Sequence, residues 1–185
     1  GLGVCAPNGV GLTDFTQALL DGKSGIRHQP NLEKLGFGCQ VAGEPLVKDN
    51  LINSYFTPLE RRGLNASGIV YGVIAGVDAW NDAGLVKNTT NEPSWDRGIV
   101  FGTGILGVDK FREAIHLIDD GNVRRLGSTS VIQTMASGIS AYLGGMLGCG
   151  NQVTTNSAAC TTGTEGIIMA YDRISQGKAE IMLTG

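Results

Sequence analysis

Charge, aromatic rings and histidine are all scarce in this sequence, and each shortage removes a class of function. Charged residues make up 17% of the chain, against about a quarter in ordinary soluble domains. The net charge is −3 and the isoelectric point about 5.3. The basic residues are scattered apart from two adjacent pairs, Arg61–Arg62 and Arg124–Arg125. Phosphate contacts need a clustered basic face, which counts against a nucleic-acid partner. The four cysteines (Cys5, Cys39, Cys149, Cys160) are far apart, none sits in a CxxC pair, and the only histidines are His28 and His116. That spacing indicates neither a zinc site nor a disulfide framework, and no metal or cofactor is implied. A reducing compartment, the cytoplasm, fits such cysteine usage.

Long apolar runs are missing too. The longest, Ile69 to Trp80, is interrupted by Gly72, Gly76 and Asp78, and is too short and too broken to span a bilayer. No methionine opens the chain, and it stops at Gly185 directly after the apolar Ile181-Met182-Leu183. Both ends fall where strands are expected, so the sequence reads as part of a longer protein.

What is abundant is glycine, with 29 residues, alongside a hydrophobic content of 42%. This is enough for one cored domain with many close backbone approaches. Residues 1–5 read as the end of a strand, and Pro7-Asn8-Gly9 as a turn. Thr13 is placed to cap a helix that runs to about Leu20. Residues 23–58, punctuated by prolines, read as mixed and loop-rich. Apolar periodicity predicts helices over 66–82, 108–120, 132–147 and 164–175. Asn65 is the expected cap of the first, and Phe111, Ile115 and Ile118 form the apolar face of the second. Strands are expected at 98–101, 152–156 and 179–183. This alternation predicts an α/β protein.

Gly102-Thr-Gly104-Ile-Leu-Gly107 matches the G-x-G-x-x-G pattern between a predicted strand and a predicted helix, the setting of a dinucleotide site. That unit requires a second strand ending in an acidic residue about 20 residues on. Here the helix ends at Asp119-Asp120 and a loop follows, so the pattern reads as a tight turn.

The segment Asn156-Ser-Ala-Ala-Cys160-Thr-Thr-Gly163-Thr-Glu165 carries the strongest chemical signal. A β-rich run leads through small residues to one cysteine and then a helix, the architecture of a nucleophile elbow. Ala158, Ala159 and Gly163 let backbones crowd there and leave room for a substrate. A cysteine at a helix N-terminus faces unpaired N–H groups and the positive end of the helix dipole, and both favour the nucleophilic thiolate. The alternative is a small buried filler, which is the reading given to Cys5, Cys39 and Cys149.

Asn156 to Glu165 resembles the active-cysteine segment of β-ketoacyl synthases, with Cys160 on the nucleophile. Gly1–Gly11 (GLGVCAPNGVG), Leu20–Ile26, Ala75–Leu85, Gly102–Gly107, Met135–Gly145 and Gly177–Gly185 match further stretches of the family in order. The resemblance implies the N-terminal half of a thiolase-like fold, with a mixed sheet sandwiched between helix layers. It implies that Cys160 takes an acyl chain from acyl carrier protein as a thioester, and that malonyl-carrier then loses carbon dioxide and attacks it. Thr161 and Gly163 would lie against substrate, Ile105 would line the acyl pocket, and Arg124 and Arg125 would dock the acidic carrier. Arg61 and Arg62 have the same standing as that pair. The two histidines that the family uses for decarboxylation belong to motifs outside these residues, so residues 1–185 alone would not condense anything. A dimer is implied as well, with strand Gln152–Asn156 paired to its twin and a proline at Thr154 disrupting the pairing. Three alternatives stand beside this reading. They are a non-catalytic chain-length-factor-like subunit of a heterodimer, which would usually lack the cysteine, a nicotinamide oxidoreductase, and a thiolase acting on coenzyme A thioesters.

Overall fold

The computed structural model describes residues 1–185. The chain opens on an antiparallel hairpin, β1 (Cys5–Ala6) against β2 (Gly9–Val10), turned by Pro7-Asn8. Residues 1–4 are not part of a strand. Helix α1 (Leu12–Leu20) follows. Its cap position is Gly11 rather than Thr13, because the chain turns from β2 into the helix at φ +85°, a conformation cheap only for glycine. The loop-rich stretch holds more structure than its composition foretells. Strands β3 (Ile26–His28) and β4 (Val41–Gly43) form a second antiparallel ribbon around the short helix α2 (Pro30–Lys34). Helices α3 (Asp49–Tyr55) and α4 (Pro58–Gly63) come next. A reciprocal capping box opens α4: Thr57 Oγ1 accepts from the Glu60 N–H, and Glu60 Oε2 accepts from the Thr57 N–H.

Helix α5 (Ser67–Asp82) runs through the centre of the core, with Ile69, Val70, Val73, Ile74, Val77 and Trp80 all buried. Asn65 does not cap it. The side chain of buried Gln133, distant in sequence, accepts from the N–H groups of both Asn65 (2.8 Å) and Ala66 (3.0 Å). Strand β5 (Arg97–Val100) and helix α6 (Val108–Asp119) follow, then a 3-10 turn at Val123–Arg125. The helix expected over 132–147 is two helices, α7 (Ser130–Thr134) and α8 (Gly138–Leu147), separated by extended backbone at Met135. The break brings Gly138 onto the Ile132 carbonyl, where a Cβ would stand at 2.1 Å. Strand β6 (Val153–Thr154), a 3-10 turn at Ala159–Thr161, helix α9 (Thr162–Ser175) and strand β7 (Ile181–Thr184) complete the chain.

The main sheet has the order β6-β5-β7, with both pairings parallel; antiparallel pairing is confined to the two ribbons. Side-chain alternation along the strands separates two helix layers. Ile99 and Leu183 join the α5–α8 core, which includes Leu143 and Leu147. Val100 and Thr184 approach α9 on the other face, at Gly166. Each fully buried leucine or isoleucine in that core, Leu143 for example, is worth about 2–5 kcal/mol against alanine. The apolar face expected of α6 is not buried: Phe111, Ile115 and Ile118 are all exposed.

Candidate active site

Glycines aside, one residue in the chain takes a left-handed backbone: Ala159, at φ +50°, directly before Cys160. This conformation costs an L-residue about 1–2 kcal/mol and survives where the surroundings over-determine it. Here the chief restraint is Thr162, a buried residue at the start of α9. Its Oγ1 accepts from the Ala158 N–H (2.8 Å) and donates to the Ala159 carbonyl (2.8 Å), so one hydroxyl clasps the turn on both sides. Thr161 Oγ1 donates to the Ala158 carbonyl (2.8 Å), and Asn156 Nδ2 donates to the Thr162 carbonyl (2.7 Å). The turn therefore fixes Cys160 at the junction of strand and helix, with its side chain exposed.

Two glycines from other segments let the layers close around this turn. A Cβ on Gly102 would stand 2.1 Å from Thr162 Cγ2 and 2.5 Å from Asn156 Oδ1. One on Gly166 would stand 2.7 Å from Thr184 Oγ1. Gly163, expected to relieve crowding, has open space where its side chain would be. It leaves room at the exposed surface instead, next to exposed Thr161. Thr162, Asn156, Gly102 and Gly166 were not legible as site residues in the sequence. The available signal was a hydroxyl at a helix start, which commonly caps.

The turn from Phe101 to Gly107 packs its ends against this assembly and against α7, where Gly107, at φ +62°, meets the Gln133 carbonyl. After α6 comes the 3-10 turn and α7, and no strand with a terminal acidic residue follows. Ile105 sits on the turn and is 76% exposed, so it is not a core residue.

The other cysteines divide differently from expectation. Cys149 is buried and Cys5 half-buried, but Cys39 is exposed, so it is no core filler. Burial, and secondarily the Asp78 carboxylate, pushes the Cys5 thiol up to about 11. Burial does the same to Cys149, again to about 11, with Arg97 opposing and Asp96 adding to the shift.

Arg124 and Arg125 lie on the exposed 3-10 turn after α6. Arg125 lines a cleft of about 170 Å³ together with Arg62, Lys110 and Glu113. Lys110 is engaged with Glu113 at 3.0 Å, and Arg61 with Asp49 at 3.1 Å. Of the two basic pairs, Arg62 and Arg125 thus share one cleft, and Arg61 faces an acidic partner. His28 pairs with Glu33 at 3.3 Å, and His116 is exposed on α6. No helix is long and apolar enough to cross a membrane.

The family profile described as "Beta-ketoacyl synthase, N-terminal domain" matches residues 1–185. The chain belongs to the β-ketoacyl synthase family. It is 31% identical, over its whole length, to a 3-oxoacyl-[acyl-carrier-protein] synthase 2 of Vibrio harveyi, and covers 43% of that relative. Among solved structures, it superposes along its full length on a complex of a type II PKS acyl-carrier protein with its ketosynthase bound to the hexaketide. The TM-score is 0.77 at 25% identity, covering 43% of that chain. The ishigamide ketosynthase/chain length factor gives a TM-score of 0.73 at 22% identity over 97% of this chain and 44% of its own. The chain thus spans less than half the length of these synthases, and its α/β fold is that of the thiolase-like ketosynthases.

Proposed function

We propose that the protein is a β-ketoacyl-[acyl-carrier-protein] synthase whose acyl-accepting nucleophile is Cys160. The observation that carries this reading is the left-handed turn at Ala159, which presents an exposed cysteine at the start of α9. Strain of this kind is retained where a reacting group must be held in place. In the first half-reaction the Cys160 sulfur attacks the thioester carbonyl of an acyl-carrier. The carrier thiolate leaves and takes up a proton, and the acyl chain remains on Cys160. In the second, malonyl-carrier loses carbon dioxide, and the carbanion it leaves attacks the Cys160 thioester. A carbon–carbon bond forms, the carbon–sulfur bond breaks, and the free thiolate returns. The covalent intermediate splits one hard step into two easier ones. The Cys160 N–H supplies one donor to the oxyanion of each step. Thr161 and Gly163 border the acyl group, and Ile105 lines its path. The histidines of the decarboxylation step are supplied from outside residues 1–185, and His28 and His116 take no part.

Acyl carrier protein is acidic, and the cleft holding Arg62 and Arg125, with Arg124 beside it, is the surface offered to it. The presence of Cys160 favours this reading over a chain-length-factor-like subunit. A dimer forms through the open edge of β6, which pairs with β5 on one side alone. An uncovered edge of this kind is normally protected in a soluble protein.

The experiment is intact-protein and peptide mass spectrometry of the full-length protein after incubation with acyl-carrier. The acyl mass is expected on Cys160. At pH 8, thiols held at about 11 carry roughly 100-fold less thiolate than one at 9, since each unit is a factor of ten, so Cys5 and Cys149 remain unmodified. Acyl label on Cys5, Cys39 or Cys149 with Cys160 free would refute the assignment.

A further inference from the structure

Beneath the Cys160 turn lie two polar side chains whose hydrogen bonding is incomplete. Asn156 gives its amide NH2 to the Thr162 carbonyl at 2.7 Å, but its Oδ1 is buried without a partner. Thr184 Oγ1, at the end of β7, is likewise buried and unpartnered. Both atoms converge on Gly166 of α9. From the point where a Cβ would sit on that residue, Thr184 Oγ1 is 2.7 Å away and Asn156 Oδ1 3.8 Å away. The two are chemically complementary, because a hydroxyl donates and an amide oxygen accepts. A buried polar atom left unpaired costs about 1–3 kcal/mol, and pairing these two removes both penalties together.

We propose that Thr184 and Asn156 form a positioning brace for the nucleophile turn. The Thr184 hydroxyl donates to Asn156 Oδ1 through one buried water. This orients the amide so that its NH2 holds the Thr162 carbonyl, and Thr162 in turn clasps Ala158 and Ala159. The geometry of the Cys160 turn then depends on the last residue of β7, a strand reached after the whole of α9. Thr184 and Asn156 are positioning residues. Their catalytic consequence rests on Cys160 being the nucleophile, but the contact between them does not.

The test measures the alkylation rate of Cys160 by iodoacetamide, read by peptide mass spectrometry. It compares the full-length protein with Thr184→Val, Thr184→Ser, Asn156→Leu and the double variant Asn156→Leu/Thr184→Val. Unfolding midpoints are recorded alongside. Losing one net hydrogen bond corresponds to about a fivefold change. Thr184→Val and Asn156→Leu are each expected to slow Cys160 about fivefold by that measure. The double variant is expected to be no slower than either single one, and Thr184→Ser to keep the parent rate. An unchanged or raised rate in Thr184→Val, multiplying losses in the double variant, or a lowered unfolding midpoint with the Cys160 rate intact would each overturn the brace. Alkylation needs no carrier substrate. A protein that shows the coupling but accepts no acyl chain on Cys160 would therefore keep the brace and lose the proposed function.

Discussion

Replacing Thr162 with valine isolates the restraint on the Cys160 turn, because the two side chains have nearly the same shape. The substitution removes an acceptor from the Ala158 N–H and a donor from the Ala159 carbonyl, both at 2.8 Å. Each net hydrogen bond contributes about 1 kcal/mol, and an orphaned, partly buried N–H adds roughly 1–3 kcal/mol. Ala159 also loses the clasp that offsets its left-handed backbone, worth about 1–2 kcal/mol. These terms overlap, and the expected loss is roughly 2–4 kcal/mol. Urea unfolding of the full-length protein reads it as a lower midpoint at unchanged slope. Condensing activity is expected to fall about tenfold or more, since a relaxed Ala159 no longer fixes Cys160, and each 1.4 kcal/mol is a factor of ten. Thr162→Ser keeps the hydroxyl and loses the methyl that packs against Gly102. It is expected to cost about 1 kcal/mol and to retain activity. If valine proves as stable and active as threonine, or serine as damaging as valine, the clasp is not what holds the turn.

Two further outcomes follow from the framework around the site. The Tyr142 hydroxyl (2.6 Å) and the Thr57 N–H and hydroxyl (each 2.7 Å) donate to the Glu60 carboxylate, and the Tyr142 bond leads in holding its pKa below the usual 4.5. A depressed pKa stabilises the fold above the unfolded value and is lost as pH falls through the folded one. The stability gap between the parent and Glu60→Gln should therefore narrow below about pH 4.5, and a gap of constant size from pH 7 to pH 3 would contradict this. For assembly, the informative proline is at Val153 rather than Thr154. The Gln152, Thr154 and Asn156 carbonyls all accept from β5 or the residues after it, and in a parallel ladder a residue's N–H and C=O point the same way. The Thr154 backbone thus serves the sheet, and that of Val153 faces the open edge. Val153→Pro is expected to give a folded monomer in sedimentation and Thr154→Pro a destabilised chain. A Val153→Pro dimer at micromolar concentration would refute pairing through β6.

Elements with a strong period were legible in the sequence, and those held by distant partners were not. The helix over Ser67–Asp82 is apolar on nearly every face and lies where its pattern places it. Its cap was not legible, because the acceptor belongs to Gln133, 67 residues from Ala66. Local rules look for a cap at the adjacent Asn65 and have no access to that contact. The break between α7 and α8 was hidden for a similar reason. Ser137-Gly138 is a local break signal, but the same segment carries Gly144-Gly145 inside α8, so glycine alone does not place the break; the chain bends at Met135, and Gly138 meets the Ile132 carbonyl. The exposed face of α6 shows the limit of periodicity itself: Phe111, Ile115 and Ile118 mark a face that wants cover, but the pattern does not say which surface supplies it.

At the site, sequence located the candidate nucleophile and missed what supports its turn. Cys160 stands out because a lone cysteine between a strand and a helix start has a chemical reason to be there. Gly163 follows from the same local pattern, yet the space around it is open. The glycines that the turn requires are Gly102, two residues beyond β5, and Gly166, one helical turn into α9. Each is demanded by a side chain from another segment: Thr162 and Asn156 exclude a Cβ at Gly102, and Thr184 excludes one at Gly166. A candidate nucleophile can be proposed from its neighbours in sequence because thiol reactivity is local. The strained backbone beneath it depends on three segments meeting, and only the folded chain brings those segments together.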